Sequence, residues 1–186
     1  MSNHREEQIE ASGLRVRFAF HEDRFSHAVE FARDDKWIGA LTSIEGTPLD
    51  PWPASPPLQS LHLETRPPER QLALLVGMSG KSHWSVSVEL DPAVWVSFDV
   101  ACRLRSEESI HLGSEYQILQ PALETSDSRL VFPDPTGQGR VALDVLESCG
   151  PTRLRFDDGH LRVEPADVAG HSPRTVRWGY RISRLP

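Results

Sequence analysis

LRVRFAFHEDRFSHAVEF, residues 14–31, decides the fold class. Leu14, Val16, Phe18 and Phe20 alternate with Arg15, Arg17 and Ala19, and Phe25, His27, Val29 and Phe31 repeat the period-2 pattern of a half-buried strand. The HEDR stretch, residues 21–24, reads as the hairpin loop between them. Pairing Phe20 with Phe25 sets Phe18 opposite His27, Val16 opposite Val29 and Leu14 opposite Phe31. The same register sets Arg15 across from Glu30 on the other face. Hydrophobic pattern and charge therefore agree on one antiparallel hairpin.

A second hairpin is written near the C-terminus. Asp158-Gly159 suits the positive φ angles of a type I′ turn. Phe156 then faces Leu161, Leu154 faces Val163, Asp157 faces His160 and Arg153 faces Glu164. Arg155 falls opposite Arg162, a repulsion that nearby acids or water must relieve. Between the hairpins, residues 37–45, 58–65, 71–77, 83–90, 93–104 and 140–147 read as strands, and 174–183 closes the set. In 93–104 the residues Val94, Val96, Phe98, Val100, Cys102 and Leu104 share a face. Residues 71–77, QLALLVG, are apolar on both faces and read as a central strand. No segment carries a helical apolar stripe of ten residues. Residues 1–12 are expected to be flexible or briefly helical, and 121–128 at most a turn of helix. About ten antiparallel strands with little helix predict an all-β fold, an antiparallel β-sandwich or a barrel-like alternative, as one domain over residues 13–186.

Composition narrows function. The 186 residues carry a net charge of −7, which opposes a general nucleic-acid binder. The last 36 residues nevertheless hold seven arginines against four acids, net +3, leaving −10 for residues 1–150. No apolar run reaches 18 residues, so no membrane-spanning helix is expected, and the polar start shows no secretory signal. Two cysteines, Cys102 and Cys149, without CxxC spacing, fit free thiols in a reducing cytoplasm.

The tempting motifs fall short. LALLVGMSGKS, residues 72–82, imitates a phosphate-binding loop, but the required first glycine is Leu75, and a strand pattern follows where a helix must begin. It reads as a glycine-bearing hairpin turn that gathers Lys81, Ser82 and His83 at a strand end. The eight histidines show no metal-ligand spacing, and no cofactor or metal is implied. His27 stands on an apolar face, either hydrogen-bonded at the edge of the core or in a pocket paired with Asp23 or His83, and Arg24 is a further ligand-binding candidate.

Five prolines crowd residues 46–57, GTPLDPWPASPP, a stiff connection that carries Trp52. Trp52 either pins that loop onto the core or stands out as a stacking surface. The expected function is a non-enzymatic binding module for a carbohydrate, peptide or protein ligand, using Trp52 and the 78–84 loop. An enzyme with a His/carboxylate site at His27, His83, Asp23 and Lys81, acting on a sugar or small anion, is the alternative. A third reading makes Arg177 and Arg181, flanking Gly179, an anion site.

Overall fold

The computed structural model describes residues 5–50, 52–93, 95–105 and 111–185. Among these residues fifteen strands, numbered along the chain, form two antiparallel sheets that are not closed into a barrel. One sheet has the order β1 (Glu6–Ala11), β2 (Leu14–His21), β3 (Arg24–Arg33), β4 (Lys36–Ser43), β9 (Ser114–Ile118), β14 (His160–Pro165) and β13 (Thr152–Asp157). The other begins with β10 (Glu124–Thr125), β11 (Arg129–Pro133), β12 (Arg140–Val145) and β15 (Arg174–Leu185). It continues through β8 (Trp95–Leu104), β7 (Ser82–Asp91) and β6 (Arg70–Ser79) to β5 (Leu58–Arg66). Their apolar faces meet in one core, with Phe18, Val29 and Leu41 against Leu75, Phe98 and Trp178.

Both hairpins form in the expected registers. Phe20 pairs with Phe25, Phe18 with His27 and Arg15 with Glu30, across a turn in which Glu22 has φ 56°. At the other hairpin Asp158 and Gly159 have φ 43° and 79°, and Arg155 pairs with Arg162. That repulsion is relieved by acids: Glu164 accepts from Arg153 Nε at 2.6 Å and from Arg155 Nε at 2.7 Å, while Arg162 donates to Glu115 at 2.9 Å. Cys102 lies fully inside the core, as its strand face implied. Val94, assigned to the same face, is outside the described residues.

Four expectations are corrected. Residues 6–11 are neither flexible nor helical. They pair along β2 through a Ser12-Gly13 turn with φ 50° and 77°, and only Ile9 is buried, so the alternation that marks a strand is faint. Residues 124–125 form the short strand β10. Among the described residues the one helical element is a single 3-10 turn, Glu147–Cys149. Among the described residues the strands number fifteen rather than about ten, because β1, β9, β10 and β11 are short or weakly apolar and gain their hydrogen bonds from neighbours already in place. Finally, β6 is not covered on both faces: it neighbours the edge strand β5, and Leu74, Val76 and Met78 on its outer face are 37%, 52% and 47% exposed.

The proline connection crosses from β4 to β5 and seats against the β6–β7 hairpin. A Cβ on Gly77 would fall 1.7 Å from the Pro57 carbonyl oxygen, so glycine alone admits this approach. The Ser79 hydroxyl donates to the Asp50 carbonyl at 3.2 Å.

Candidate functional site

His27 points into the core because β3 alternates, and its surroundings are closed. Its Nε2 shares a 2.7 Å hydrogen bond with the Tyr116 hydroxyl, and its backbone N–H donates to Ser43 Oγ at 2.8 Å. The ring packs at 5.4 Å from Phe98. Burial pushes its pKa down to about 4, so it is neutral at pH 7. The Tyr116 hydroxyl bonds in turn to Tyr180, and burial raises both phenols further from ionisation. The Trp178 indole donates to Ser114 Oγ at 3.1 Å in the same interior. Beside this network lies a void of about 10 Å³, room for at most one water molecule and none for a substrate.

The other members of the expected catalytic group lie elsewhere. His83 is exposed on the outer face of β7, whereas its neighbour Trp84 points inward. His27 and His83 therefore lie on opposite sides of the eight-stranded sheet. Asp23 is clasped by Arg24 through bonds of 2.8 and 3.1 Å, which hold its carboxyl below the usual range. Arg24 itself is 5% exposed and lies in the fields of Glu45 and Asp50. Lys81 is exposed at the β6–β7 turn beside Gly80, whose φ is 57°. Ser82 is buried at the start of β7.

Trp52 is brought to the 78–84 hairpin, with its ring edge-on to Trp84 at 6.1 Å and half-buried against the core. The indole thus fastens the proline connection down. The terminal arginines are also engaged: Arg177 pairs with Asp99 at 2.5 Å, and the Arg181 guanidinium sits 4.4 Å from the centre of the Trp95 ring. Gly179 between them is roofed by Cys149, whose Sγ lies 2.6 Å from where a Cβ would stand.

Among the described residues an open concavity lies on the outer face of the eight-stranded sheet. Strand register lays the residues out in cross-strand rows: Met78, His83, Arg103 and Thr175 in one, and Ser60, Val76, Ser85, Ala101 and Arg177 in the next. Small side chains at Ser85 and Ala101 make a floor. Val76 and Met78 rise on one side, with Arg103 and Thr175 on the other, around a groove of about 550 Å³. A register slip at Leu58/Ser60 frees the Gln59 side chain to close one end. Its amide replaces a backbone partner, with Met78 N–H donating to Oε1 at 3.1 Å and Nε2 donating to Met78 O at 3.2 Å.

Sequence reasoning found the 78–84 segment, with Met78 and His83 in it, but not Gln59 or Arg103. The available signal was the apolar outer face of β6 beside the small outer residues Ser85, Ser87 and Ala101. Tyr116, Ser43 and Glu45 of the buried network were also missed, and their only sequence sign is polar residues at positions that alternate inward. Among the described residues, no three His, Cys, Asp or Glu side chains are grouped to hold a metal ion. No family model matches the chain, and no curated protein is found similar to it.

Proposed function

We propose that the chain is a non-enzymatic binding module whose outer groove holds an extended peptide segment of a protein partner, one carrying apolar and acidic side chains. The observation that carries this reading is the groove of about 550 Å³, in which exposed Val76 and Met78 face Arg103 and His83. Exposed aliphatic side chains gain by covering apolar surface, and a guanidinium at the opposite wall gains most from a carboxylate. Basic groups in a groove of a chain with net charge −7 favour an acidic segment over a basic one. Carbohydrate is the weaker fit, because sugar rings stack on open aromatic faces. Trp84 is 4% exposed, and Trp52 is turned against it. Cys102 and Cys149 are free and buried, which fits a partner met in a reducing compartment such as the cytoplasm.

An NMR titration tests the reading with three probes: a peptide alternating Leu and Glu, its Leu/Lys counterpart, and a panel of neutral oligosaccharides. The Leu/Glu peptide is expected to shift the amides of Ser85, Ala101 and Thr175, with Arg103→Glu and Val76→Glu each weakening it about tenfold. Silence from both peptides, or a response to an oligosaccharide alone, overturns the proposal.

A further inference from the structure

The four sheet edges are strands of different character. β10 has two residues, β1 and β13 have six each, and β5 has nine. β1 and β13 are guarded by charge, Glu6, Glu7 and Glu10 on the first and Arg153 and Arg155 on the second. β5 also carries charge, Glu64 and Arg66, but these two pair with each other at 2.9 Å; it holds no proline or lysine, and among the described residues its only strand partner is β6. Its inner side is apolar, and apolar residues of the next strand flank its polar outer side. Leu61 and Leu63 on its inner face are only partly buried, and on the outer face its neighbour β6 exposes Leu74 and Val76. A long, accessible, partly apolar edge is a template for another strand.

The sequence of β5 says which strand fits. Its outer residues run Ser60, His62, Glu64, Arg66, and its inner ones Leu61, Leu63, Thr65. Two copies related by a two-fold axis pair antiparallel, so outer residues must oppose outer residues. Centring the axis on Glu64 puts two carboxylates together, which is repulsive. Centring it on His62 stacks two imidazoles and leaves Glu64 opposite Ser60. Centring it on Leu63 sets His62 of each copy against Glu64 of the other, twice, and Leu63 against Leu63. It also places Ser60 opposite Arg66, while Arg66 keeps its 2.9 Å bond to Glu64 within its own strand. An imidazole N–H donates to a carboxylate whether or not the ring is charged.

We infer that β5 is a dimerisation edge at which a second copy of this chain pairs antiparallel about Leu63, joining two eight-stranded sheets into one continuous sheet. This edge stands apart from the reading of the groove, since either can fail without the other. The test is a charge swap read by sedimentation equilibrium from about 1 µM to roughly 1 mM. The wild-type chain dimerises. His62→Glu sets like charges face to face at two symmetric places and weakens the dimer by at least about tenfold. His62→Glu with Glu64→His rebuilds both cross-strand pairs in reversed order and restores the affinity to within about threefold. Both positions lie on the outer face, so the variants keep the core intact, and an unchanged circular-dichroism melt verifies this. A wild-type chain that stays monomeric at roughly 1 mM overturns the inference. So does a dimer that His62→Glu leaves intact, or a double variant no tighter than the single one.

Discussion

Glu45 gives the sharpest test of how the interior is held. It lies just past β4, with Oε1 accepting from the Ser43 hydroxyl at 2.6 Å and Oε2 shut away from solvent without a hydrogen-bond partner. Burial pushes its pKa from 4.5 up to about 7, against the pull of Ser43 and Arg24. In the unfolded chain the carboxyl returns to its ordinary range. Because the folded value is the higher one, the proton is held more tightly by the native state. The associated stability is fully present below about pH 4.5 and is lost as pH rises through 7. The gap from 4.5 to about 7, at 1.36 kcal/mol per unit, comes to about 3 kcal/mol. Glu45→Gln keeps an acceptor for Ser43 and cannot ionise, so it removes this loss. Its extra amide donors in a dry place cost part of the gain, leaving roughly 1–3 kcal/mol. Urea unfolding from pH 4 to 9 measures the difference between variant and wild type, in which Asp23 and Glu164 titrate alike and cancel. That difference is expected to be level below pH 4.5, to rise in the variant's favour up to about pH 7, and to stay level above. At about 2–4 °C per kcal/mol for this size, the alkaline melting point rises by several degrees. A difference that is flat across the whole range, or that falls with pH, refutes the reasoning.

The same experiment on His27→Phe is expected to give the opposite sign. The folded pKa of about 4 lies below the free value of 6.5, so wild-type stability is lost as pH falls through that window, and the variant gains about 3 kcal/mol relative to wild type by pH 4. Gly77→Ala should cost at least about 3 kcal/mol by denaturant unfolding, since its methyl group meets the Pro57 carbonyl oxygen at 1.7 Å and backbone has to move. Trp52→Ala should lower stability by about 2 kcal/mol, by loss of its contact with Trp84, while leaving peptide titration of the groove within about twofold. A melt unchanged by that substitution would falsify the fastening role.

What could be read in the sequence was whatever one residue's alternation settles. The 14–31 hairpin was legible to the pair because an error of one residue would have turned Phe18 and Val16 to water. The 152–165 hairpin was legible because Asp158-Gly159 permits one tight turn. β1 was not legible, since its single buried residue, Ile9, carries no period. β9 hid for a different reason: Ser114 and Tyr116 face inward as polar groups, and only their partners, Trp178, His27 and Tyr180, make that position tolerable. His27 shows the limit most directly. Its place on an apolar face was visible, but whether it met a cleft or a phenol depended on a strand 89 residues away.

The misjudged burial of β6 is the most informative discrepancy. A strand apolar on both faces is ordinary at the centre of a covered sheet, and the run QLALLVG has that form. Here the inner side chains Ala73 and Leu75 are in the core, while Leu74, Val76 and Met78 stand uncovered. Packing of this chain does not account for the outer set, because polar residues there would leave the core unchanged. The neighbouring strand β7 does carry polar residues on that face, His83, Ser85 and Ser87, so the sheet has no general tolerance for exposed apolar rows. A row of exposed apolar side chains along one strand, bounded by a groove on one flank and a free edge on the other, is what a surface made to be covered looks like. The groove and the edge supply two different covers for it, a partner's segment across Val76 and Met78 and a second copy alongside β5. Replacing Leu74 by a charged residue should weaken dimer pairing before it affects the groove, and replacing Met78 should do the reverse. If both substitutions leave self-association and peptide binding unaltered, the apolar face of β6 serves neither role.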